Sequence, residues 1–522
     1  MRLGCSLNQS HRAASCRRPR FEAAGYAQIV SEANSPVQPG LRRVARDSVV
    51  YGAGFFLGKI ASLLLLPLYT RLLTPSDYGV LQLLQITSDV VDIVTAGGLT
   101  SSVVRFVAMA TDDGQRRSII ATAFWSVVGT RLLGGVLIAI FASSLSQLAF
   151  KTTEHTSLVR LSGLNFVVGA LSIVPLLELQ ASRRARAHGV ASVLKLVFQL
   201  ALTALFVVKF HWGVRGVLYS SLFAAAAQAV VLVPPLLRRP GMSASLAEYR
   251  RLTQFGRSYQ FAAVAAFILS FSDRLVLSVR STEEVGLYGL ASQVSLLLSS
   301  LIAEPFGRAW EPALYSLRAY ARERQSYEAG RGLLLLIATM VVAATAMSLF
   351  AQPGLQLMSS APFWGAARLV PVLAFAQVVR SWGDFSRTAI NLEGDTRPVM
   401  RAAWSGAAVT LVLFPLLVPV FGAGGAAASS CVGLTVRTLV LRAFARRILP
   451  VSSTERRALG VLLVGVLASS IAFTPIPESI WWRTTLFTFA FAVFCAVLWR
   501  RAFVASEREL LLSMVRSRLL RR

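Results

Sequence analysis

Charged side chains set inside long apolar runs are the residues of this sequence best placed to do chemistry. Lys59, Arg131, Lys195, Arg274 and Arg380 all fall within such runs. A charge at a bilayer centre costs about 2.5–3.5 kcal/mol on insertion scales, so it faces a wet cavity or a partner. Gln82, Gln85, Asp89, Asp92 and Ala96 step by three and four and share one helical face. Gln377, Arg380, Asp384, Arg387 and Asn391 repeat the pattern, and Gln293, Ser300, Glu304 and Arg308 follow similar spacing. The chemistry such faces offer is recognition of an anion. Lys59, Arg105, Lys195, Arg274 and Arg380 would supply the positive field of a cavity, and arginine forks and lysine point charges both suit phosphate. Asp89, Asp92, Glu304 and Asp384 would balance that field or bind a coupling ion, Na+ or H+. The plainer reading is pairwise neutralisation: Lys59 with Asp89 or Asp92, and Arg380 with Asp384. Arg105 also fits an ordinary basic residue at a helix end, and Asp273 beside Arg274 a structural role.

Covalent chemistry has no foothold. The stretch Gly52–Ile60 superficially has P-loop spacing, but it lacks Ser or Thr after Lys59 and lies in an apolar segment. HExxH, GxSxG and dinucleotide motifs are missing, so no catalytic residue, metal or cofactor is expected. The four histidines, His11, His155, His188 and His211, are unpaired in sequence. Cys5, Cys16, Cys431 and Cys495 have neither metal spacing nor a disulfide framework.

The elements that position these residues follow from composition. Of 522 residues 55% are hydrophobic and 15% charged, against about 25% charged in a soluble domain. That excludes a soluble enzyme, a disordered scaffold and a coiled coil. A bilayer core takes about 20 apolar residues per helix. Fourteen segments qualify: 48–67, 80–104, 118–147, 158–180, 189–208, 214–236, 258–280, 286–307, 332–352, 366–388, 402–420, 424–444, 457–474 and 481–499. Alternating the loops between two sides puts forty of the 53 Lys and Arg on one side and nine on the other, with four inside helices. By the positive-inside rule both termini are cytoplasmic. The same split accounts for most of the +28 net charge without a nucleic-acid partner. Trp212, Trp310, Trp364, Trp481 and Trp499 fall near predicted interfaces.

Residues 1–45 lack the apolar core of a signal peptide and read as a disordered cytoplasmic tail. An internal repeat organises the rest. Asp77-Tyr78-Gly79 matches Glu284-Val285-Gly286 at an offset of 207 between the glycines. Trp212-Gly213-Val214-Arg215-Gly216 matches Phe421-Gly422-Ala423-Gly424-Gly425 at an offset of 209. The fold class is therefore all-α: a polytopic membrane protein of about fourteen transmembrane helices, with two pseudo-symmetric six-helix lobes around a central cavity and two extra helices. The lobes are expected over 46–237 and 258–448. A cytoplasmic linker spans 238–257, the extra helices 449–500 and a basic tail 501–522. Gly54 and Gly58 form a GxxxG step ahead of Lys59.

Leu66-Pro67-Leu68-Tyr69-Thr70-Arg71-Leu72-Leu73-Thr74-Pro75-Ser76-Asp77-Tyr78-Gly79 resembles the opening signature of bacterial polysaccharide (O-antigen) flippases. These belong to the multidrug/oligosaccharidyl-lipid/polysaccharide exporter superfamily. Ser272-Asp273-Arg274-Leu275-Val276-Leu277, Val285-Gly286-Leu287-Tyr288 and Ala309-Trp310-Glu311-Pro312-Ala313-Leu314 resemble the start of that family's second lobe. The resemblance spans roughly residues 45–450. It implies a flippase of the bacterial inner membrane that moves polyprenyl-diphosphate-linked oligosaccharide for surface polysaccharide biosynthesis. Its lobes would rock between inward-open and outward-open states, driven by Na+, H+ or membrane potential. Its partners would be the lipid-linked glycan, membrane lipids and other assembly proteins. Two other readings stay open. A glycan polymerase or ligase would need a larger outer loop than this chain has, and a multidrug exporter would favour an acidic, aromatic-lined cavity.

Overall fold

A computed structural model describes residues 66–96, 99, 102–103, 106–107, 110, 112–182, 184–238, 243–316, 322–391, 397–474 and 480–501. Lys59, Arg105, Gly54, Gly58 and both tails lie outside the described residues. The described chain is helical throughout, without strands.

Of the first predicted segment, 48–67, only residues 66 and 67 are described, and they open a helix that runs to residue 72. There follow α1 Pro75–Ala96, α2 Asp113–Ile140, α3 Ala142–Phe150, α4 Thr156–Ala181, α5 Ala185–Thr203 and α6 Gly213–Leu237. The second half holds α7 Leu246–Leu277, α8 Thr282–Leu298, α9 Glu304–Ser316, α10 Arg322–Met358, α11 Val370–Asn391, α12 Arg397–Ile448, α13 Ser452–Ser469 and α14 Ile480–Arg501. Single π-helical turns, Ala204–Lys209 and Ser299–Ala303, extend α5 and join α8 to α9.

Eight described helices are long and apolar enough to cross a membrane, or nine when the short helix Ala361–Arg368 and α11, bent by 48°, count as one span. The chain is a multi-pass membrane protein. Each predicted segment from 80–104 onward has a helix at its place. Several differ in extent, α1 and α7 among them. α1 starts at Pro75 because Thr74 and Asp77 form a reciprocal cap: the Asp77 amide donates to Thr74 Oγ1 (3.1 Å) and the Thr74 amide to Asp77 Oδ2 (3.1 Å). Pro75 takes the first helical position, where a missing N–H costs nothing. α7 starts at Leu246, twelve residues before the apolar run at 258, because a helix does not stop where its surface turns polar.

The 52 residues of α12 are two antiparallel helices meeting at Gly422, whose φ of 53° only glycine adopts freely. Gly213, its partner in the sequence repeat, has a φ of 51° at the head of α6. The other repeated pair meets directly. A Cβ on Gly79 would lie 1.9 Å from the Thr282 carbonyl oxygen, and one on Gly286 1.8 Å from that of Pro75. Such reciprocity is what a twofold axis between α1 and α8 produces.

Around this contact the two halves are stitched at one end of the bundle. Ser76 and Thr282 share a hydroxyl hydrogen bond of 2.8 Å. Ser360 Oγ donates to the Thr70 carbonyl (2.6 Å), and Arg71 to that of Leu357 (2.9 Å). Beneath lies the largest core cluster, with Tyr78, Leu83, Leu84, Tyr288, Leu290 and Phe363 among its buried members. α13 and α14 pack through Ala458, Val461, Phe494 and Leu498 on the second half's α10 and α11.

Candidate functional site

Charged residues gather in two groups inside the bundle. The first is built on α1, α2 and the end of α7. On α2, Gly134 and Gly135 let the helix approach closely: a Cβ on Gly134 would meet Val91 and Phe166 at 2.9 Å, and one on Gly135 would meet Val167 at 2.2 Å. That closeness carries Arg131, one turn away, to Asp92 at 2.7 Å and over the Phe166 ring at 4.5 Å. Asp92 thus has Arg131 of α2 as a partner; the expected pairing of Lys59 with Asp89 or Asp92 falls on a residue outside those described. Asp89, one turn earlier, accepts from Gln85 Nε2 at 2.9 Å.

Arg274 closes this group. Its side chain is among the largest fully buried ones, at 2% exposure. The guanidinium lies 5.5 Å from the Phe271 ring and 5.9 Å from Tyr288, forms no ion pair with any described residue, and leaves Nε without a hydrogen bond. It acts electrostatically on Tyr78, Asp89, Asp273 and Tyr288, so it sits where α1, α7 and α8 converge. Neighbouring Asp273 is engaged elsewhere. It accepts from the Tyr288 hydroxyl (2.6 Å), the Arg274 amide (2.8 Å) and Ser430 (3.5 Å).

The second group lies on α11 and the returning half of α12. Glycines again set the spacing. A Cβ on Gly383 would meet Thr438 Oγ1 at 2.6 Å, and one on Gly406 would meet the Gly433 carbonyl at 2.7 Å. Arg437 reaches Asp384 at 2.7 Å, while Arg387 and Arg380 stand 3.9 and 4.0 Å from the same carboxylate. The predicted Arg380–Asp384 pair is present but is the loosest of three. Most of α11 is buried, yet Arg380, Asp384 and Arg387 keep 34%, 36% and 47% of their side-chain surface. Charges on a helix inside the membrane face a partner or a wet cavity rather than lipid. Glu304, exposed after the π-helical turn, acts on Arg380 from the α9 side. Of the other residues predicted on these faces, Gln293 is exposed, whereas Ser300 is buried and returns its hydroxyl to Leu296 and Leu297 carbonyls. Gln377 is buried and accepts from Ser299.

Lys195 joins neither group. It is half-buried on α5, has no ion pair among the described residues, and shares a helical face with Ser192, Gln199 and Thr203. The last two contact the Tyr69 hydroxyl. Of the five predicted cations, then, the structure places Arg274 with the α1 carboxylates, Arg380 with Asp384, and Lys195 apart. Sequence reasoning missed Arg437, counting it among loop charges. It also missed Glu455, which is 4% exposed and takes Arg442 at 3.0 Å and Arg446 at 2.7 Å where α12 meets α13. The signal for Arg437 was its distance of fifteen residues from the Gly422 turn, well inside a span.

The sequence profile described as "Polysaccharide biosynthesis protein" matches residues 68–364, more than half the chain. The chain belongs to that family. No curated protein sequence matches it significantly. Among solved structures, this family member is similar to the lipid II flippase MurJ in an inward closed conformation, with a TM-score of 0.68 at 11% identity, covering 87% of this chain and 99% of that one. It is also similar to the Vibrio cholerae MATE transporter VcmN, with a TM-score of 0.56 at 14% identity over 78% and 98% of the two chains. A multidrug resistance MATE family transporter of the MOP superfamily, inward-facing, gives 0.54 at 15% identity over 78% and 96%. At such identities the likeness shows the fold alone: this polysaccharide biosynthesis protein shares the architecture of those flippase and transporter structures.

Proposed function

We infer that this polysaccharide biosynthesis protein flips a polyprenyl-diphosphate-linked oligosaccharide across the bacterial inner membrane by alternating access, for surface polysaccharide assembly. The carrying observation is Arg274. A buried guanidinium that forms no ion pair with any described residue and leaves Nε without a hydrogen bond is costly to keep. It lies 5.9 Å from the Tyr288 ring and acts on Tyr78, residues close in sequence to the Gly79–Gly286 contact, so parting the halves there would uncover it. A diphosphate entering there would supply the missing counter-charge through forked, charge-assisted hydrogen bonds. Lys195 and Arg380 would extend the positive field, together with Lys59 and Arg105. Asp89, Asp92, Glu304 and Asp384 would temper it or take the coupling ion, Na+ or H+. The lobes 46–237 and 258–448 would be the rocking bodies, with both termini in the cytoplasm. The work is transport, not catalysis, and the positive excess disfavours cationic drugs as cargo.

Deleting the gene and analysing lipid-linked glycans tests this reading. The expected result is loss of a surface polysaccharide with its lipid-linked precursor trapped on the cytoplasmic face. An unchanged surface glycan with altered drug sensitivity would replace it by the exporter reading.

A further inference from the structure

The span Ala187–Lys209, which is α5 with its π-helical turn, is the least enclosed of the eight: only 11% of its most apolar stretch is buried. α6 begins three residues later, so Lys209, His211 and Arg215 sit at a membrane-surface corner. All three are exposed, and none forms an ion pair with any described residue. No acid close in sequence can neutralise them, because the chain has none between Glu178 and Glu248. They also fall on the side expected to hold nine of the 53 Lys and Arg, so the positive-inside rule does not account for them.

Aromatic rings descend from these cations. Trp212 stacks on Phe206 (5.1 Å) and Phe210 (5.5 Å) and meets Tyr219 (5.7 Å), which reaches Phe223 (6.4 Å). Phe210, Trp212 and Phe223 stay exposed. The backbone bends to assemble the ladder. After the π-helical turn the Trp212 amide donates to the Phe206 carbonyl (3.1 Å), and His211 and Gly213 take left-handed φ values of 55° and 51°. Gly216 leaves room, since a Cβ there would lie 3.1 Å from Phe206 and 3.2 Å from Trp212. The equivalent corner of the second half shows that the fold itself does not require this. There Phe421 has no ring partner among the described residues, and Arg280 is neutralised by Glu284 at 3.3 Å, beside Gly422.

Phe223 lies ten residues into α6, about 15 Å below the corner, a depth that acyl chains reach and sugars do not. Unpaired cations above exposed rings match a molecule with an anionic head and an apolar tail. We propose that this corner binds an anionic phospholipid, independently of the transported cargo. Its phosphate sits at Lys209, His211 and Arg215, and an acyl chain runs along Trp212, Tyr219 and Phe223.

The test places the full-length protein in phosphatidylcholine nanodiscs containing a small fraction of photoactivatable phosphatidylglycerol, with crosslinks mapped by peptide mass spectrometry. One basic residue near the surface is worth about fivefold in anionic-lipid binding, so residues 204–223 should be labelled at least about fivefold more than by photoactivatable phosphatidylcholine. Lys209→Gln with Arg215→Gln should remove that difference, while Lys209→Arg with Arg215→Lys should keep it. Labelling at the basic stretch 183–186 should stay unchanged in both variants. The replaced side chains are exposed, so the fold is retained, checked by melting temperature. Equal labelling of 204–223 by the two lipids, or an unchanged preference in the Gln variant, would overturn the site. Displacement of the label by excess polyprenyl phosphate but not by excess phosphatidylglycerol would assign the corner to the cargo's carrier lipid, and displacement by a free trisaccharide would assign it to a glycan. Either result would replace the phospholipid.

Discussion

Gly79 and Gly286 face one another across the same contact from opposite sides, each with its missing Cβ within 2 Å of the other helix's carbonyl oxygen. No side chain fits there, so the distance between α1 and α8 is set by the bare backbone of both. This is the tightest point of the stitching between the two halves. Gly79→Ala and Gly286→Ala should each force the helices apart. A loss of about 1–3 kcal/mol is expected from overpacking, read as a lower melting temperature in detergent. A melting temperature equal to wild type in both would show that the contact does not hold the halves together.

The Ser76–Thr282 hydroxyl pair lies beside that contact. If cargo passes by parting the halves, Ser76→Cys with Thr282→Cys should form a disulfide under oxidation and stop transport, and reduction should restore it. Full transport with the crosslink quantitatively formed would rule out opening at this end.

Asp273→Asn combined with Arg274→Met neutralises both buried charges at once. The two side chains are not ion-paired but act on one another electrostatically, so removing both disturbs the fold less than leaving either charge buried alone. The double variant should therefore melt within a few degrees of wild type yet lose at least tenfold in transport. Retained transport would reduce Arg274 to a structural partner of Asp273.

Glu455 neutralises Arg442, which also lies 4.4 Å over the Trp382 ring, and Arg446. Glu455→Gln leaves two cations facing a neutral group where α13 joins α12. A loss of roughly 3 kcal/mol is expected, again by thermal melting. Because the cluster is distant in sequence from the Arg274 site, transport per folded molecule should stay near wild type.

Much of the architecture was legible without coordinates because its cause is local. Twenty apolar residues make a span wherever they occur, and the Thr74–Asp77 cap is written in four consecutive residues. The repeat offsets of 207 and 209 pointed to equivalent backbone positions, and Gly213 and Gly422 do share a left-handed φ. The α11 face was readable for the same reason, since steps of three and four put Arg380, Asp384 and Arg387 on one side.

Partner choice was not legible. Asp92 takes Arg131 because Gly134 and Gly135 draw α2 onto α1 and α4, a matter of helix register that no sequence spacing encodes. Arg437 belongs to Asp384 only because the chain reverses at Gly422 and Gly383, Gly406 and Gly433 let three helix segments close on each other. The amino-acid order alone decided that this chain lives in a membrane as helices and which faces are polar, since transfer from water to oil acts residue by residue. Which cation meets which carboxylate, and which is left open for a guest, was decided by close packing between distant segments, where a shift of one ångström makes or breaks an ion pair.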